Sequence, residues 1–121
     1  MKKGLLVIVL CLLSFQPAQA EFKTGNGLVT AWREYQKSSA GKPYNANDDG
    51  FYTGYIAGLC DSSMHSLFSI PEGATLGQAC DVVGKWLDRH PEEWNRPAHQ
   101  LVIKALKEAF PIHKSSVKKK L

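Results

Sequence analysis

Thr53-Gly54-Tyr55-Ile56-Ala57-Gly58-Leu59-Cys60-Asp61 is the stretch that decides the fold. With its flanks it places Phe51, Tyr52, Tyr55, Ile56, Leu59, Ser63, Leu67 and Phe68 at three- and four-residue steps. That spacing puts large apolar groups on one stripe of a helix. The reading is a central helix that starts behind an Asn47 cap, carries Asp48 and Asp49 in its first turn and runs to about Phe68. Gly54 and Gly58 share a face, and each costs ~1 kcal/mol relative to alanine inside a helix. The expected compensation is close approach of a neighbouring helix at that face.

Working outward, Thr24 to Ser39 reads as a first helix, with Thr24 or Asn26 as cap and Leu28, Ala31, Trp32 and Tyr35 on its inner side. Gly41 and Pro43 punctuate the loop that follows. After the central helix, Ser69 to Ala74 is a breaker, and Thr75-Leu76-Gly77-Gln78 is a capping-box pattern. Leu76, Ala79, Cys80, Val83, Trp86 and Leu87 then form the cleanest apolar stripe in the chain. His90-Pro91 ends that helix, because the residue before a proline is pushed out of the helical region. Pro91-Glu92-Glu93-Trp94 suits a short helical turn, and Pro97 opens a last helix that Pro111 closes. No stretch alternates like a strand. The expectation is an all-α compact single domain of four main helices plus one short helix, in antiparallel hairpin packing. Its core should hold Tyr55, Ile56, Leu59, Val83, Trp86, Leu87, Leu101, Val102, Leu106 and Phe110.

The ends bear on where such a domain works. Met1-Lys2-Lys3, an apolar run from Gly4 to Phe15 and Ala18-Gln19-Ala20 make residues 1–20 a cleavable signal peptide. The run is shorter than the ~20 apolar residues of a membrane span. Val9-Leu10 before Cys11 does not suit lipid attachment. The chain carries 15 Lys+Arg against 11 Asp+Glu, a formal +4. Loss of Lys2 and Lys3 leaves +2, and setting aside Lys114, Lys118, Lys119 and Lys120 leaves −2 on residues 21–113. The basic balance therefore belongs to the leader and to the basic tail 114–121. A slightly acidic body argues against a nucleic-acid partner, which calls for a basic folded face. The expectation is a periplasmic protein with no membrane contact after signal cleavage.

Cys60 and Cys80 are the two cysteines left after cleavage. An even count in an oxidising compartment, on consecutive helices facing inward, points to a Cys60–Cys80 disulfide. A Cys-His hydrolase needs a reactive thiolate, and both cysteines lie on apolar stripes where a thiol is inert or oxidised. His65, His90, His99 and His113 are scattered, with no pair at metal-ligand spacing. The residues thus suggest no catalytic, metal or cofactor site, and no enzyme. They suggest a small exported binding domain, with a periplasmic stress chaperone as the rival reading.

Four segments in order resemble the Rap/Tai family of type VI secretion system immunity proteins. They are Gly54-Tyr55-Ile56-Ala57-Gly58, Pro71 to Gln78, Val82 to Glu92 and Ala98 to Pro111. The resemblance implies a helical periplasmic protein, often a homodimer, that binds and blocks a secreted effector without catalysis. For the better-known branch that effector is a peptidoglycan amidase. Ser69 and Ile112 stand where relatives commonly carry cysteines, so the bridge usual in the family is absent here. If the helices commit their apolar faces to the core, the effector contacts fall on loops. Ser69, Glu72 and Gly73 form one candidate surface, and Glu92, Trp94 and Arg96 the other, with Trp94 as an aromatic anchor.

Overall fold

A computed structural model of the chain describes residues 23–113. The leader and the basic tail expected from the sequence lie outside the described residues. Four helices follow one another: α1, Gly25–Ser39; α2, Ala46–Ser63; α3, Leu76–Arg89; and α4, Ala98–Ala109, with a 3-10 turn at Pro91–Glu93 between the last two. Among the described residues the extended pairings are isolated bridges, Thr24 with Pro97 and Met64 with Phe68. The domain is all-α. Helices adjacent in the chain are adjacent in space, and α1 also reaches α3 and α4. None of these helices is long and apolar enough to cross a membrane.

The core forms where α1 crosses α3. Trp32, Tyr35 and Tyr52 make an aromatic trio with ring centroids 5.3–5.7 Å apart. The Trp32 ring lies against Gly84, where a Cβ would come within 2.3 Å of the ring carbons. Its Nε1 donates to Asp88 Oδ2 at 3.1 Å. The Tyr52 hydroxyl is fully buried and donates to the Cys80 carbonyl at 2.7 Å, which pins α2 to α3. Trp86 Nε1 donates to Glu108 Oε2 across the α3–α4 seam. Trp94 Nε1 donates to the Leu87 carbonyl. All three indole N–H groups are satisfied, so the large rings are buried without an orphaned donor.

The helix ends follow local chemistry. Thr75 and Gln78 form the expected capping box, each bonding the other's backbone amide. Asn45, not Asn47, caps α2: its side chain accepts from the amides of Asn47 and Asp48. Thr24 precedes α1 but makes no side-chain cap. The first amides of α1 donate instead to the carbonyls of Arg96 and Trp94, at 2.8 and 2.7 Å. Ala98 N–H in turn donates to the Lys23 carbonyl, so the starts of α1 and α4 are laced together.

Three expectations change. First, α2 stops at Ser63 rather than near Phe68. The Ser63 carbonyl accepts the Leu67 and Ser66 amides and the Ser66 hydroxyl, which closes a turn in place of another helical step. His65 sits in that turn at φ 69°, and Phe68 returns to the core. Second, among the described residues nothing lies within 4 Å of where a Cβ on Gly54 or Gly58 would stand. The close approaches fall at Gly84 and at Gly25, where a Cβ would lie 2.6 Å from the Trp94 carbonyl oxygen. Third, the buried side of α2 is Tyr52, Ile56, Cys60 and Ser63. Tyr55, Leu59 and Phe110 only flank the core, while Leu28, Trp32, Tyr52 and Phe68 are fully part of it. The other seven expected core residues are buried.

Glycine substitutions separate the two environments. Gly84→Ala should destabilise by ~1–3 kcal/mol through overpacking against Trp32, although alanine is the better helix former. Gly54→Ala, in open space, should instead gain ~0.5–1 kcal/mol. Trp86→Ala should cost ~3–5 kcal/mol. Urea denaturation of the three variants gives all the values, and equal effects at Gly54 and Gly84 would contradict the packing described.

Candidate functional site

The two loops marked out by sequence lie at opposite ends of α3, one before Leu76 and one after Arg89. Fourteen helical residues separate them, or ~20 Å at the helical rise. They therefore do not form one compact surface.

The corner at residues 90–97 is internally bonded. Glu93 is held by Lys104 Nζ at 2.6 Å and lies 3.2 Å from Arg96 Nε. The Lys104 hydrogen bond keeps the Glu93 carboxyl below the usual carboxylate range. Glu92 bonds His90 Nδ1 at 3.0 Å, and the His90 ring stacks on Trp86. Trp94 is half-buried against the core, its N–H held by Leu87 and its carbonyl occupied by the start of α1. The indole that the sequence offers as an anchor is thus built into the scaffold. Glu92 and Arg96 remain exposed.

The other end is more open. Pro71-Glu72-Gly73-Ala74 closes a tight turn through an Ala74 N–H to Pro71 carbonyl bond at 3.1 Å, with Gly73 at φ 88°. That backbone shape places glycine at the third position of a type II turn. Glu72 and Gly73 stand exposed at its tip. Ser69 is anchored instead, its N–H donating to the Phe110 carbonyl. Beside the turn, Met64, Leu67 and Leu76 are each close to 40% exposed. Sequence reading assigned Leu67 and Leu76 to inner stripes. The signal that could have placed Leu67 outside is the Ser62-Ser63 pair, whose hydroxyls and carbonyls compete with helix continuation.

Cys60 and Cys80 meet at the α2–α3 interface, both buried and both free thiols in this structure. The bond expected from sequence is not formed in it. Burial pushes the Cys80 thiol up to about 12, with the neighbouring Cys60 adding to the effect. Cys60 is raised as well, by burial and by Asp61. Both shifts run opposite to what a nucleophilic thiolate needs. Among the described residues no group of three or more His, Cys, Asp or Glu side chains could hold a metal ion.

The described residues thus form a helical scaffold with an exposed turn at one end of α3. The family model of the Rap1a immunity proteins matches residues 24–112, and the chain belongs to that family. The match gives it a role in immunity to a type VI secretion effector, through binding of the cognate effector. No curated protein matches the chain.

The thiol environment gives a direct check. In reduced folded protein at pH 8, alkylation of Cys80 should be slower than in the unfolded chain by at least roughly tenfold. Cys80 modified at the unfolded rate would show that its burial has been misjudged.

Proposed function

We propose that this chain is exported, loses its leader after Ala20 and binds a type VI effector in the periplasm, blocking it without turning anything over. The effector is a peptidoglycan amidase. Family membership over residues 24–112 is the observation that carries the reading. The leader pattern supports it independently, since it directs the domain to the compartment where peptidoglycan lies. The turn carrying Glu72 and Gly73 is the part of the predicted contact surface that stands free to enter a cleft. Association into a homodimer belongs to the same reading.

Cys60 and Cys80 then close a disulfide on export. Two thiols lose two protons and two electrons to the disulfide of a thiol oxidase, through a mixed disulfide that the second cysteine resolves. The step precedes the packing of α2 against α3, which buries both sulfurs. In the folded domain the bond and the Tyr52–Cys80 hydrogen bond then hold the same pair of helices.

Expression of the toxin encoded beside this chain's gene, directed to the periplasm, tests the reading. Cells should lyse with the toxin alone and survive when this chain is co-expressed. Lysis that is equal in both cultures rejects immunity against that toxin. Intact mass of the periplasmic protein decides the two covalent points. The expected species begins at Glu21 and is two hydrogens lighter than the dithiol; a retained leader or two alkylatable thiols would overturn the corresponding step.

A further inference from the structure

We propose that the groove between the C-terminal turn of α2 and the N-terminal turn of α3 is a docking site. Its occupant is a loop of the protein partner that presents an apolar side chain with a lysine or arginine beside it. The proposal rests on the immunity reading and names the surface and the chemistry through which the partner is held.

The groove has a volume of about 210 Å³; Ala57, Cys60, Met64, Ile70, Leu76 and Ala79 give it an apolar lining, to which Asp61, Ala74 and Thr75 also belong. That volume is below the ~300 Å³ at which pockets for small molecules begin. It suits an inserted side chain better than a metabolite. Met64 and Leu76 expose 38% and 39% of their surface here, so the free domain leaves apolar area in water that a docked side chain would cover.

Charge selects what accompanies the apolar group. Residues 43–84 contain no lysine or arginine, and they contain five acids: Asp48, Asp49, Asp61, Glu72 and Asp81. Of these, Asp61 lines the groove and Glu72 stands on the turn beside it, while among the described residues no lysine or arginine lines it. Asp61 lies in the last turn of α2, the end of a helix where a negative charge is unfavourable. Among the described residues it makes no ion pair. Asp61, exposed, unpaired and among the residues lining an apolar groove, is free to take a cation brought by a partner. Glu72, on the turn bordering the groove, adds a second negative charge. Gly58, one turn before Asp61, has nothing among the described residues near its missing side chain. The helix surface is bare there, which lets a partner backbone come close.

Binding measured by calorimetry tests the site, with the purified, nucleophile-substituted toxin encoded beside this chain's gene as the probe. Asp61→Lys should keep or raise the unfolding temperature, because a cation suits that end of the helix, yet weaken binding at least tenfold. Leu76→Ala should weaken binding to a similar extent, whereas Lys107→Glu, on the outer side of α4, should leave it unchanged. Wild-type affinity should fall as salt is raised. Wild-type binding with unaltered affinity in both groove variants would overturn the site and leave the immunity reading standing. No binding by the wild type would reject that reading for this toxin, and the groove with it. A wild-type dimer in solution that Asp61→Lys dissociates would assign the groove to a second copy of the chain and overturn the proposal.

Discussion

The contact between the Trp32 ring and Gly84 is the constraint on which the arrangement depends. Only glycine allows the indole to lie on the α3 backbone. The bond from its N–H to Asp88 fixes which way the ring points. With the ring in place, Tyr35 stacks on it, Tyr52 packs tilted against it, and the Tyr52 hydroxyl reaches the Cys80 carbonyl. One close approach thus sets the spacing of α1, α2 and α3 together. A domain of this size can bury one core and no more, so its three-helix junction cannot be relaxed locally without being felt throughout.

From that junction the two ends of α3 diverge. At its C-terminal end, the 3-10 turn, Trp94 and Arg96 supply carbonyls to the start of α1, and Glu93 ties the turn to Lys104 on α4. The backbone carbonyls of Trp94 and Arg96, the Trp94 N–H and Glu93 Oε1 are all bonded there, and Glu93 Oε2, which has no hydrogen bond, faces Arg96 Nε at 3.2 Å; this cross-bonding makes it the tied end. At its N-terminal end, α2 stops at Ser63, a left-handed residue follows at His65, and a glycine turn leads into the capping box. Apolar side chains face water, and acids lack partners. Strain and exposed apolar surface gather at the end where recognition is proposed, while the opposite end holds the scaffold.

Much of the fold was legible because its punctuation is chemical and local. The Thr75–Gln78 box, the His90-Pro91 stop and the Pro97 and Pro111 boundaries need no tertiary information. The phase of α2 was harder. Its turns carry apolar groups nearly all round, so the Phe51-Tyr55-Leu59 row and the Tyr52-Ile56-Cys60 row compete for the inside. The Trp32 ring decides between them, and it comes from a different helix. The same holds for the glycines: sequence shows that they are costly in a helix but not which of them faces a neighbour. Of the candidate site, the Pro-Glu-Gly turn was visible as a breaker. The groove beside it was not, since it joins Ala57 and Met64 to Leu76 and Ala79 across a long loop. Trp94 shows the opposite error, for an aromatic residue among charges reads as an interface anchor until its N–H and carbonyl are seen to be in use.

Hydrogen–deuterium exchange, on the domain alone and with the inactive toxin bound, tests this division most directly. The account predicts the slowest exchange in the free domain at the α1–α3 crossing, around Trp32 and Gly84. It predicts that the toxin adds protection between Met64 and Ala79 and at the last turn of α2, with little change at residues 90–97. Protection confined to residues 90–97, with the 64–79 segment unchanged, would contradict it.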